Sequence, residues 1–139
     1  MRRFNKTFNK KKSKNNKGFS LVELIIVIAI MAVLLVVCVP AYIRHVHKAR
    51  VAKDWANLKS YYTEIQIDYT STGVYNPNVP DVHTDGNYHR IEINYLDGSK
   101  TELKAGYYLI TKEGSGNGYQ IIYYCDNHGE DCSLSLGVR

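Results

Sequence analysis

Reactive or ligating side chains cluster at two places in the 139-residue chain. Near the C-terminus, Cys125-x-x-His128-x-x-x-Cys132 offers either three metal ligands or a short disulfide. A structural zinc site needs four ligands, and this spacing supplies three. Asp126, Asn127, Glu130 and Asp131 share the stretch and could hold calcium, but they lack the regular alternation of a specific calcium loop. At the other end, Glu23 stands at the head of sixteen consecutive apolar residues, Leu24 to Val39. A carboxylate well inside a membrane helix costs about 2.5 to 3.5 kcal/mol on insertion scales, and less near the interface. Glu23 therefore calls for a partner or a shallow position, and at the start of a helix it also suits the positive end of the dipole.

No other constellation assembles a reactive site. His45 and His47 are two residues apart on a helical stretch and point to different sides, which disfavours joint ligation. His83 and His89 flank a turn, where solvated histidines are the default. Nothing has the form of a nucleophile elbow, a phosphate loop after a strand or an acid/base dyad, and "GSGNG" reads as a hairpin turn. No catalytic residue, cofactor or bound metal is expected. The twelve tyrosines all follow residue 40. Tyrosines at alternating strand positions cover a half-buried sheet, with residues near Tyr107, Tyr108, Tyr123 and Tyr124 as a secondary adhesion surface.

The apolar run is the longest regular element in the chain. Phe19 to Ile43 is 25 residues, about 37 Å as a helix at ~1.5 Å per residue, enough to cross a hydrocarbon core of roughly 30 Å. Pro40 removes a backbone donor and should kink or loosen that helix where it leaves the bilayer. Residues 1 to 18 hold eight Lys/Arg and no acid, leaving ten Lys/Arg against thirteen Asp/Glu in the rest, so the net +5 belongs to the head alone. A polybasic head before an apolar run marks the cytoplasmic side and places the C-terminal domain outside. There, Cys125 and Cys132 favour a disulfide over two free thiols, contributing less than the ~3 kcal/mol of a fifteen-residue loop. "VVCVPA" is a poor site for signal cleavage beyond the run, and "LVVC" lacks the small residue that a lipoprotein site wants beside Cys38.

Roughly 95 residues remain for one small extracytoplasmic core. Val51, Trp55, Leu58, Tyr62, Ile65 and Tyr69 recur at helical spacing and predict an amphipathic helix continuing the membrane helix. Arg50, Lys53, Asp54, Lys59 and Asp68 fall on the opposite face, which reads as solvated or as a set of inter-subunit contacts, and a solvated face is the expectation. "YHRIEINY" (88–95) alternates Ile91, Ile93 and Tyr95 with polar residues and precedes the turn "LDGSK"; "AGYYLITKE" and "GYQIIYYC" flank "GSGNG". The expected fold class is α+β: a long N-terminal helix whose C-terminal half packs on a small antiparallel sheet. The stretch "YTSTGVYNPNVPDVHTDGN" is rich in turn formers and carries no assignable element.

The stretch "KGFSLVELIIVIAIMAVL" resembles the class III signal of type IV pilins and pseudopilins: a basic leader ending in Gly18, then Phe19, then Glu23 as fifth residue of the mature chain. Pro40 stands where such proteins often carry a proline. Tyr69-x-x-x-Gly73-x-Tyr75-x-Pro77 is similar, more weakly, to the helix exit of the same family. The resemblance implies the pilin fold, and cleavage between Gly18 and Phe19 by a prepilin peptidase with N-methylation of Phe19. It further implies partners: other pilin subunits in a homo- or heteropolymer, the cytoplasmic membrane, and an assembly platform with its ATPase. Some pilins close a C-terminal loop with a disulfide, usually a longer loop than Cys125–Cys132. The corresponding division is a leader at 1–18, a membrane and filament-core helix at 19–43 and a globular domain at 44–139.

Cleavage would create an α-amino cation at Phe19, and in a bundle of such subunits Glu23 of one chain could pair with that amine of another. Phe19, Glu23 and Pro40 are thus the expected assembly residues. The expected function is a structural filament subunit, serving adhesion, twitching motility, secretion or DNA uptake. A single-pass anchored binding protein that never polymerises is the alternative. The net charge of −3 after residue 18 disfavours sequence-independent DNA binding.

Overall fold

The computed structural model describes residues 18–112, 118–126 and 132–137. The chain divides into two units, residues 1–39 and 40–139. The described part of the first unit is helical from Leu21 onward, and every side chain in it is exposed. That helix, α1, spans Leu21–Thr72 and runs through Pro40 without a break.

In the second unit, α1 is followed by α2 (Val82–Asp85), β1 (Glu92–Asn94), β2 (Lys100–Glu102), β3 (Gly106–Lys112), β4 (Tyr119–Cys125) and β5 (Leu134–Leu136). β1 and β2 form an antiparallel hairpin, and β3, β4 and β5 an antiparallel sheet in that order. An isolated bridge joins them: Arg90 N–H donates to Tyr108 O at 3.1 Å, and Tyr108 N–H to Arg90 O at 2.9 Å. The α+β architecture is that expected from the sequence, with two further short strands, β2 and β5, and one short helix, α2. Asp81 caps α2 by accepting from His83 N–H at 3.2 Å.

The core follows two periodicities. Val51, Leu58 and Ile65 of α1 are buried, as their spacing predicts, with Trp55, Tyr62 and Tyr69 partly buried beside them. On the sheet, Tyr108 opposes Tyr123 and Ile110 opposes Ile121, all four turned inward. Ile93 of β1 is also buried, whereas Ile91, expected on the same face, lies before β1 and is exposed. Tyrosine burial is heavier than expected. Tyr61, Tyr108, Tyr119 and Tyr123 are all fully covered, which removes Tyr108 and Tyr123 from any adhesion surface.

Asp54 corrects the sequence reading most clearly. Expected on the solvated face, it is 0 % exposed. Its Oδ2 accepts from Ala105 N–H at 2.8 Å and from Tyr123 Oη–H at 3.2 Å, while Lys104 N–H reaches both oxygens at 2.9 and 3.0 Å. The backbone entering β3 thus aims its donors at one carboxylate of α1, and these bonds offset the cost of burying it. Gly106 leaves the room this requires, since a Cβ there would meet the Tyr124 carbonyl and come within 2.7 Å of the Tyr123 ring.

The helix exit is built from tyrosines. Gly73 has φ +71°, a left-handed conformation suited to glycine, and its N–H donates to Tyr69 O at 2.8 Å. The reversal stacks Tyr75 on Tyr69 with ring centroids 4.6 Å apart, and Tyr119 closes on both edge-on. Tyr75 Oη–H donates to Gly118 O at 3.2 Å, and Asn76 N–H donates to Tyr119 Oη at 2.7 Å.

Candidate functional site: the N-terminal segment

Gly18, Phe19 and Ser20 precede α1 in non-helical conformation and are exposed, Phe19 at 83 %. Leu24 N–H donates to Ser20 O at 3.2 Å, so Ser20 stands at the helix entrance. Glu23 lies in the first turn, three residues after Ser20, at the spacing of a helix capping box. Its carboxylate therefore favours the positive end of the helix dipole. A Cβ built on Gly18 meets nothing within 4 Å among the described residues.

From Leu21 to Val39 the first unit presents leucine, isoleucine and valine side chains all round, exposed by 45 % or more. A helix apolar on every side is stable where lipid or other helices cover it. The helix passes the length and composition expected of a membrane span. The leader before Gly18 lies outside the described residues.

At the other end of the chain the structure joins Cys125 and Cys132 in a disulfide, with Cα atoms 5.9 Å apart. His128, Asn127, Glu130 and Asp131 lie outside the described residues, and Asp126 is exposed. His47, weighed in the sequence only as a ligand beside His45, has a neighbourhood that the sequence did not reveal. It faces the second unit's core side of α1, and one of its ring nitrogens and the two cysteine sulfurs lie within 4.8 Å of one another. His45, His83 and His89 are exposed, so His45 and His47 do diverge as expected. His89 packs on Tyr107, and Tyr107 stacks on Tyr124, leaving these as the outward aromatic row of the sheet.

Burial raises the pKa of Tyr61, and pushes that of Tyr108 up to about 12. Tyr123 is raised first by burial and then by the Asp54 carboxylate beside it. These tyrosines are held as neutral packing and hydrogen-bonding groups.

Residues 13–39 match the prokaryotic N-terminal methylation motif. No curated protein and no solved structure matches the chain. The matched span takes in the end of the basic head, Gly18, Phe19, Glu23 and the apolar part of α1 up to Val39. The chain carries the class III signal typical of type IV pilin-like proteins.

Proposed function

We propose that the chain is a structural subunit of a type IV pilus or pilus-like filament. It is made as a membrane-held precursor with the second unit outside the cytoplasm and is cut between Gly18 and Phe19. The observation that carries this reading is the methylation motif at residues 13–39, coincident with an exposed non-helical Gly18–Phe19 junction. Two further features support it. A Cβ on Gly18 would meet no described residue within 4 Å, which is compatible with a glycine kept for recognition by a peptidase. The apolar side chains before Pro40 are exposed among the described residues of the first unit, and a bundle of identical helices would cover them.

Cleavage by hydrolysis leaves a new α-amine on Phe19, which is then N-methylated. Glu23 of a neighbouring subunit pairs with that cation. Such a pair sets the register of the bundle, because a subunit one step out of place leaves two charges unmatched in an apolar medium. Pro40 leaves the Val36 carbonyl without its helical donor, a point where the helix can adjust as it moves from lipid to filament. Filaments sheared from the cell surface test the reading. They should contain this chain, and its absence from filaments while it remains in the membrane fraction would overturn it.

A further inference from the structure

His47 lies one helical turn before Val51, on the stripe of α1 that meets the sheet. Val51 and Cys132 belong to one core cluster, with Cys125 packed against it, and this brings the imidazole to the cysteine pair. The Nε2 of His47 is shut off from solvent and has no hydrogen-bond partner among the described residues. A buried polar atom left this way calls for a partner, and a ring nitrogen of the same imidazole lies within 4.8 Å of both cysteine sulfurs. In the disulfide these sulfurs are poor acceptors; as thiolates they are strong metal ligands.

We propose that His47, Cys125 and Cys132 form a binding site for a thiophilic divalent cation of the zinc class, open when the two cysteines are reduced and closed by their disulfide. Two sulfurs and one imidazole nitrogen are the donor set that such a cation selects over calcium or magnesium. Tetrahedral bonds of about 2.3 Å to sulfur and about 2.0 Å to nitrogen put the sulfurs about 3.8 Å apart and each about 3.5 Å from the nitrogen. The three ligand atoms already lie within 4.8 Å, and rotation of two cysteines with Cα atoms 5.9 Å apart covers the difference. Water takes the fourth position. The imidazole of this set thus comes from α1 and not from the segment between the two cysteines.

The chemistry balances in two steps. A dithiol reductant gives two electrons to the Cys125–Cys132 bond and becomes a disulfide itself, and each cysteine sulfur takes a proton. The cation then displaces both protons as it binds the two thiolates and His47. Cys38, a free and exposed cysteine of the first unit, is not one of the three ligand residues. The proposal is independent of the filament reading.

The test uses the detergent-solubilised full chain carrying Cys38→Ser, reduced with a phosphine, stripped of metal and titrated anaerobically with cobalt(II) alone. One equivalent should bind with thiolate-to-cobalt charge-transfer absorption and the intense visible bands of a four-coordinate ion, and zinc should displace it. His47→Gln should weaken binding by about tenfold or more, and the oxidised chain should show no such bands. Cadmium-113 NMR of the unsubstituted histidine protein reads the donor set directly, so the result does not depend on how well the variant folds. Absent charge-transfer bands, unchanged affinity in His47→Gln, a shift without imidazole ligation, or equal binding after oxidation would each overturn the proposal.

Discussion

Asp54 of α1 and Tyr123 of β4, 69 residues apart in sequence, meet in the core, where Tyr123 Oη–H donates to Asp54 Oδ2 at 3.2 Å. The same carboxylate receives the N–H groups of Lys104 and Ala105. One acid of the helix thereby fixes the entry of β3 and the inward face of β4.

Asp54→Ala strands those donors, and a buried donor left unmade costs about 1 to 3 kcal/mol. The substitution should lower the unfolding free energy by about 2 to 4 kcal/mol, since the donors are not all fully buried. Asp54→Asn, which keeps one acceptor oxygen, should fall between it and the parent. Tyr123→Phe removes a single bond and should cost about 1 kcal/mol. Urea unfolding followed by tyrosine and tryptophan fluorescence measures all three.

Alkaline stability should report the buried tyrosines. Their pKa values are raised in the folded chain, most plainly for Tyr108, pushed up to about 12 by burial from an ordinary value of 10.0. Below pH 10 both folded and unfolded chains keep the proton, so the contribution is fully present. Between about pH 10 and 12 the unfolded chain binds fewer protons than the folded one, and stability falls as pH rises. Unfolding free energies measured from pH 8 to 12 should be level at first and then decline. Tyr108→Phe loses the bond from Tyr108 Oη–H to Glu92 O, 3.1 Å long, costing about 1 kcal/mol at pH 8, but should make the alkaline decline shallower.

Glu23→Ala should leave the chain in the membrane, because removing a carboxylate makes insertion easier, not harder. Filament yield should fall by about tenfold or more, since an unpaired Phe19 amine in an apolar bundle costs several kcal/mol. Quantifying the chain in membrane and sheared-filament fractions separates the two effects. Normal filament yield from the variant would contradict the pairing of Glu23 with Phe19.

Legibility in the sequence tracked how far apart the interacting residues lie. The run Leu24–Val39 and the Gly18, Phe19 and Glu23 spacing are local, so they were readable directly. The helical stripe through Val51, Leu58 and Ile65 was readable for the same reason. Asp54 was not, because an acid reads as solvent-facing until Lys104, Ala105 and Tyr123 are known to surround it. β2 and β5 are three residues each, too short for alternation to show, and are held by pairing with β1 and β4. His47 beside Cys125 and Cys132 is purely a product of packing between α1 and the end of the sheet. Tyr69, Gly73 and Tyr75 were visible as a spacing, but their stacking around Tyr119 required the partner strand.

Intact-mass spectrometry of the mature protein, with N-terminal fragmentation, reads whether the proposed filament subunit loses its leader at Gly18 and keeps its apolar helix. The expected result is a chain beginning at Phe19 with a methyl group on its α-amine, and a chain carrying Gly18→Val should retain its leader. A mature chain still beginning at Met1, or one beginning at Cys38, would contradict it.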